Sequence, residues 1–129
     1  MKTLIQITLI LLTILGSNAF SHAELTSSAP KKNEHITSAP DKLVLEFNKP
    51  VRLLKVELFD QAGKPIALNF KVSSEPKQRF ELTINEIKHG DYTVKWVALG
   101  GDTHKMSGKF AFHFRPQTKP TDKEPEHQH

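Results

Sequence analysis

Residues 90–114 read GDYTVKWVALGGDTHKMSGKFAFHF, and this stretch decides the fold. Apolar residues stand at every second position in its two halves, namely Tyr92, Val94, Trp96 and Ala98 in the first and Phe110, Phe112 and Phe114 in the second. Side chains of a β-strand point alternately to opposite faces, so this spacing puts each apolar set on one face. The stretch therefore predicts two β-strands that each bury one face.

The same alternation recurs upstream, in segments that we predict as strands at 43–47, 54–58, 66–72 and 80–84. In the segment 54–58 the predicted buried residues are Leu54, Val56 and Leu58. A leading segment, 22–28, ends before Pro30 and is expected to supply an edge strand. Turn-forming residues separate these runs, and no helical period of comparable length follows residue 21. The pattern predicts an all-β protein, an antiparallel β-sandwich of about seven strands.

The N-terminal segment, residues 1–21, has the layout of a secretory signal peptide. Lys2 precedes a mostly apolar run from Leu4 to Leu15, which is shorter than the roughly 20 residues that span a membrane. A retained anchor is therefore the less favoured alternative. Signal-peptide cleavage follows the second of two small residues spaced two apart, and this pattern allows cleavage after Ala19, Ser21 or Ala23. The pattern alone does not choose among the three. Cleavage after Ser21 makes His22 the N-terminus of an exported chain.

The bulk composition limits what the rest of the chain can do. Removing 21 of 129 residues leaves 108, enough for one domain, and removing Lys2 lowers the net charge from +4 to +3. The charges are interspersed, whereas a nucleic-acid binder concentrates them on one face, so we expect no nucleic-acid partner. There is no cysteine, hence no disulfide and no thiolate ligand. Residues 117–129 are polar and charged apart from two prolines, and we expect a disordered tail that ends in His127 and His129.

Most of the histidines have simple explanations as exposed residues. His35 and His89 are predicted to lie in polar loops, and His113 on the outer face of its strand. Asp102-Thr103-His104 differs, because residues two apart in an extended segment project to the same side and can approach one ion. Taken alone, this pair is explained better by a turn in which Asp102 bonds its own backbone.

His22 adds weight to the pair if cleavage makes it the N-terminus. Its α-amine would have a pKa of about 7.7–8.0, so a metal could displace the proton near neutral pH. The amine and the ring Nδ1 of His22 form a chelate, and His104 and Asp102 complete a set of three nitrogens and one oxygen. Cu(II) gains most from such a set, and Met106 is the only sulfur beyond residue 21. We predict a site for one Cu(II) ion.

In four segments the sequence resembles the CopC/PcoC family of periplasmic copper-binding proteins, which includes YobA-like members. The segments are HAELTSSAP at 22–30, PDKLVLEFNKPV at 40–51, GDYTVKW at 90–96 and DTHKMSGKFAF at 102–112. They span nearly all of the predicted domain, 22–116, in the order and spacing of the family.

The resemblance implies a Greek-key, immunoglobulin-like sandwich and cleavage between Ser21 and His22. It implies a Cu(II) site formed by His22, Asp102 and His104, a periplasmic location and a CopD-type inner-membrane partner. The family usually has glycine where this chain has Thr103, and a β-branched residue resists positive φ, so we expect a different local turn. The family's methionine-rich Cu(I) site is not expected here, because those methionines are missing.

The expected function is that of a monomeric copper carrier or buffer in copper homeostasis or resistance, and not that of an enzyme. A copper-dependent monooxygenase is one alternative, because an N-terminal histidine can also activate oxygen at copper. A metal-free sandwich that serves as an interaction module is the other, because such folds host many functions.

Overall fold

The computed structural model describes residues 22–117, which form eight β-strands. The strands are β1 (Leu25–Ala29), β2 (His35–Ile36), β3 (Lys42–Phe59), β4 (Pro65–Ile66), β5 (Leu68–Asn69), β6 (Lys77–Ile84), β7 (Gly90–Leu99) and β8 (Lys105–Phe114). The predicted signal peptide, 1–21, and the predicted tail beyond Gln117, with His127 and His129, lie outside the described residues. No helix in the described part of the chain is long and apolar enough to cross a membrane.

The strands form two sets that share β3. The first half of β3 pairs with β1 and β6, and β5 extends this set beyond β6. The second half of β3 pairs with β4 and β7, and β8 and then β2 continue from β7. The two sets meet in the core, where the rings of Phe47 on β3 and Trp96 on β7 have centroids 5.2 Å apart. Among the strands of residues 22–117, every pairing is antiparallel except the parallel pair β2–β8.

A single long strand, β3, covers both segments that were predicted as separate strands, 43–47 and 54–58, so that prediction is wrong. The chain stays extended through both segments, with irregular register between Glu46 and Val51 and again between Leu53 and Lys55. A bulge places one extra residue in a strand and so exchanges the faces of the residues beyond it. As a result Leu53 is fully buried and Leu54 is only half-buried, so the prediction that Leu54 lies in the core is wrong.

The segment predicted as a strand at 66–72 is also different in the structure. Ile66 pairs with Leu58 of β3, and Leu68 pairs with Ile84 of β6, so the chain crosses from one set of strands to the other between them. Ile66 and Leu68 still pack against the core, which explains the alternation in the sequence. Val72 is 59% exposed and belongs to no strand.

The core contains the apolar residues of β7 and β8 that the sequence predicted. Tyr92, Val94, Trp96 and Ala98 are buried, as are Phe110, Phe112 and Phe114. Burying a large apolar side chain stabilises a fold by about 1.5–3 kcal/mol relative to leaving it exposed. Gly108 lies opposite Trp96, and a Cβ at this position would come within 2.6 Å of the indole ring. The Trp96 ring therefore requires glycine on the neighbouring strand.

Candidate metal centre

The loop between β7 and β8 holds Asp102 and His104. Leu99 pairs with Lys105 at the ends of the two strands, which closes a five-residue loop, 100–104. Within it the Gly100 N–H donates to the His104 carbonyl at 3.0 Å, and the Thr103 N–H donates to the Gly100 carbonyl at 3.0 Å. These bonds fix the backbone, so the aspartate and the histidine project from one compact turn.

Thr103 adopts a backbone conformation that β-branched residues resist. Its φ is 64°, in the left-handed region that glycine adopts without a steric penalty. Whether this turn differs from that of other family members stays a prediction. A non-glycine residue in this region costs roughly 1–3 kcal/mol, which the bonds across the loop offset.

Gly100 makes room for the aspartate of the same loop. A Cβ at Gly100 would lie 2.9 Å from Asp102 Oδ1, closer than unbonded atoms of this kind approach. A larger residue at this position would displace the carboxylate. The glycine immediately after β7 is thus part of the geometry of the site.

Asp102 contacts His104 in two ways. The Asp102 Oδ2 lies 2.8 Å from the His104 Nδ1, and the His104 backbone N–H donates to Asp102 Oδ1 at 3.2 Å. These hydrogen bonds, first from the ring and then from the backbone, lower the pKa of the Asp102 carboxyl below its ordinary value. The carboxylate is therefore ionised at neutral pH and available to a cation.

The N-terminal arm brings His22 to this loop. Glu24 and Asn48 are joined by two hydrogen bonds, from Glu24 N–H to Asn48 Oδ1 at 2.7 Å and from Asn48 N–H to the Glu24 carbonyl at 3.0 Å. Leu25 then pairs with Phe47, and Ala23 packs against the core. With the arm fixed at these points, the His22 Nδ1 lies 3.6 Å from Asp102 Oδ2.

The three predicted ligands therefore form one cluster. One ligand atom from each of His22, Asp102 and His104 lies within 4.8 Å of the other two, and no other group of three or more metal-ligating side chains meets this condition in residues 22–117. The side chains are 63%, 36% and 71% exposed, and the two imidazole centroids are 6.0 Å apart. Two imidazoles on either side of one carboxylate form a nitrogen and oxygen donor set suited to a divalent transition metal.

Two features of the structure were missed by reasoning from sequence. Asn48 holds the arm through side-chain and backbone bonds, and no spacing in the sequence links it to Glu24. His35 lies in β2, not in a polar loop, and its ring stacks on that of His113 with centroids 4.5 Å apart. His113 is half-buried, with a side chain 28% exposed, so the prediction that it is simply exposed is wrong.

The fold and the cluster define a class of protein, a small β-sandwich with an exposed group of nitrogen and oxygen ligands at one end. The family model described as CopC domain matches residues 25–115. The chain therefore belongs to the CopC domain family.

Individual relatives agree with this assignment. The chain is 27% identical over 105 residues to copper resistance protein C of Escherichia coli, covering 74% of this chain and 82% of the relative. It is 27% identical over 111 residues to copper transport protein CutJ of Bacillus subtilis, covering 82% of this chain and 20% of that much longer protein. The crystal structure of PcoC, a methionine-rich copper resistance protein from Escherichia coli, matches with a TM-score of 0.61 and 26% identity, over 74% of this chain and 100% of PcoC. The predicted Greek-key sandwich and the resemblance are confirmed.

Proposed function

We propose that this protein is exported, binds one Cu(II) ion and acts as a copper carrier or buffer. The ligands are His22, through its freed amine and its ring, together with Asp102 and His104. One observation carries the proposal: His22 of the N-terminal arm and Asp102 and His104 of the loop between β7 and β8 offer ligand atoms within 4.8 Å of one another.

The donor set favours Cu(II) over Cu(I). Imidazole, amine and carboxylate are ligands that suit Cu(II), whereas Cu(I) prefers sulfur. Beyond residue 21 the one sulfur is that of Met106, which is half-buried and packs against the core. An ion that enters between His22 and His104 would replace the hydrogen bond between His104 Nδ1 and Asp102 with bonds to the metal. The exposed rings allow that change with little movement of the fold.

The names of the relatives support a role in copper handling. One is a copper resistance protein and one a copper transport protein. This chain matches only 20% of the transport protein, so a domain of this kind forms a small part of a longer copper transporter. A separate domain that delivers copper to a membrane protein of the CopD type, on the periplasmic side, is consistent with that arrangement.

An enzymatic role is less well supported. Tyr92 and Trp96 are buried, so they offer no aromatic platform for a flat carbohydrate. A carboxylate within reach of the copper also stabilises the oxidised ion, which opposes the reduction that oxygen activation requires. A metal-free interaction module leaves the convergence of three ligands unexplained.

Native mass spectrometry of protein exported by its own N-terminal segment tests the proposal. We expect a mature chain that begins at His22 and carries one copper when Cu(II) is limiting. The His104→Ala variant should bind copper much more weakly, and His89→Ala is the matched control, because His89 is an exposed histidine away from the cluster. A mature chain beginning elsewhere, or a His22 chain that takes up no copper, would refute the proposed site.

A further inference from the structure

Two histidine rings stack at the end of the sandwich opposite the metal centre, one from the edge strand β2 and one from β8. β2 and β8 pair in parallel with His35 beside His113, and backbone bonds from His113 N–H to the Glu34 carbonyl at 2.8 Å and from Arg115 N–H to the Ile36 carbonyl at 2.9 Å hold the strands together. The rings have centroids 4.5 Å apart and planes inclined by 21°. His104 lies immediately before β8 and His113 near its far end, so the length of the strand separates the pair from the cluster.

The ring of His113 is oriented by a carboxylate on the neighbouring strand. Asp91 pairs with His113 across β7 and β8, and its Oδ1 lies 2.7 Å from the His113 Nδ1. The Arg115 guanidinium donates to the same oxygen at 3.0 Å. A carboxylate oxygen accepts hydrogen bonds, so this contact holds the His113 ring with its Nδ1–H directed at Asp91. In the neutral ring, Nε2 is then the nitrogen left for a metal, as in histidines that bind metals with a carboxylate behind them.

We propose that His35 and His113 form a second, weaker binding site for a divalent transition-metal ion, with Cu(II) the most strongly bound. Neighbouring strands are about 4.8 Å apart, so two rings on paired residues can place nitrogen atoms around one ion with bonds of about 2.0–2.1 Å. Imidazole suits copper, nickel and zinc, and water would complete the coordination.

The present orientation of the rings explains why this site would be weak. The lone pairs lie in the ring planes, and stacked rings do not direct them to a common point. His35 must turn about its side-chain bonds to bind, which its exposure permits. The positive charge of Arg115 also opposes a second cation, and Asp91 is already bonded to both Arg115 and His113. The first equivalent of copper therefore goes to the cluster at the other end.

Titration of the mature full-length chain with up to three equivalents of Cu(II), followed by line broadening of backbone amide NMR signals, tests this proposal. We expect the first equivalent to broaden signals of the loop 100–104. The second should broaden Ile36 and Phe114, which flank the stacked pair. His35→Ala should leave the first set unchanged and weaken the second binding event at least tenfold.

The controls separate this proposal from the function proposed above. His104→Ala should weaken the binding event that produces the first set of changes and leave the second unchanged, whereas His89→Ala should leave both unchanged. The amide spectrum itself shows whether each variant is folded, and His35→Ala removes an exposed ring only. Sharp signals at Ile36 and Phe114 throughout the titration would overturn the proposal. So would a second binding event that His35→Ala leaves intact and that is lost when His127 and His129 are replaced.

Discussion

The hairpin of β7 and β8 holds an aspartate against a histidine at each of its ends, but the two pairs are constructed differently. At the turn end Asp102 and His104 belong to one loop, and their side chains are 36% and 71% exposed. At the open end Asp91 and His113 belong to different strands, and His113 is 28% exposed. Asp91 also forms an ion pair with Arg115, whereas Asp102 lies beside a second imidazole, that of His22.

The difference shows what a carboxylate can do at each end. The Asp91 carboxylate orients the ring of His113 and is already paired with the positive charge of Arg115. It therefore attracts a metal ion only weakly. Asp102 lies between two imidazoles, those of His22 and His104, each of which offers a ring nitrogen to a metal. An aspartate beside a histidine thus has a different role at each end. At the turn end we expect both side chains to be primary metal ligands, and at the open end we expect the aspartate only to position the histidine.

Retaining Ser21 ahead of His22 should have the largest effect on the turn end. The amine then becomes a peptide nitrogen, which is not available near neutral pH, and the chelate with the ring of His22 is lost. We expect Cu(II) affinity to fall by more than about 100-fold, since even groups behind a metal ligand are worth about 10- to 100-fold. Competition with a chelator of known affinity measures the change. Equal affinities with and without Ser21 would show that the amine is not a ligand.

His104→Ala should reduce Cu(II) affinity by about 100-fold, or about 2.8 kcal/mol. It removes one imidazole and leaves His22 and Asp102 in place. The same chelator competition applies, with His89→Ala as the control that removes an exposed histidine elsewhere. A loss of similar size in His89→Ala would mean that the histidines act collectively and that the cluster is not the primary site.

Asn48→Ala tests whether the arm must be fixed for the cluster to bind. We expect Cu(II) affinity to fall about tenfold, while the free energy of unfolding falls by about 1 kcal/mol for the lost hydrogen bond. Gln78→Ala is the matched control, because Gln78 donates to the backbone carbonyl of Asn48, whereas Glu24 bonds the side chain and the N–H of Asn48. If both variants bind copper as the parent does, Asn48 has no positioning role.

Thr103→Gly should stabilise the fold without changing the site. Glycine removes the steric cost of φ at 64° and adds some entropy to the unfolded chain, so we expect a net gain of about 1 kcal/mol in the free energy of unfolding. Thermal denaturation measures it, and Thr103→Ala, which keeps a Cβ, should gain less. Copper affinity should stay within about threefold, and a larger fall would mean that threonine itself supports the ligands.

Asp91→Asn should give the smallest effect, confined to the open end and dependent on pH. The pKa of Asp91 is lowered in the folded state, so the carboxylate stabilises the fold above its ordinary pKa of about 3.9. That contribution is lost as the pH falls through the lower, folded-state pKa. Denaturation at several pH values should show the variant less stable at pH 6 and equal to the parent in strong acid. A difference that persists at the lowest pH would point to packing and not to charge.

Much of the structure at the turn end of the hairpin could be predicted from the sequence, but little of that at the open end. The alternation at 92–98 and 110–114 reports burial directly, and Asp102 and His104 are close in the chain. The contact between His35 and His113 depends on a two-residue parallel pairing between distant segments, which leaves no periodic signal. The bulge that buries Leu53 in place of Leu54 also leaves no signal in the sequence, because an extended strand can take an extra residue without a particular residue type.

The pairing of β2 with β8 also has a consequence for the order in which the chain can fold. β2 begins at His35, and its partner is the last strand of the described domain, so the edge of the sheet cannot close until nearly the whole chain is available. Folds governed by such distant contacts cross their barrier slowly, typically over milliseconds to seconds. A chain emerging gradually from a ribosome or a translocation channel would therefore stay open until β8 arrives, and only then could either end of the hairpin meet its partner histidine.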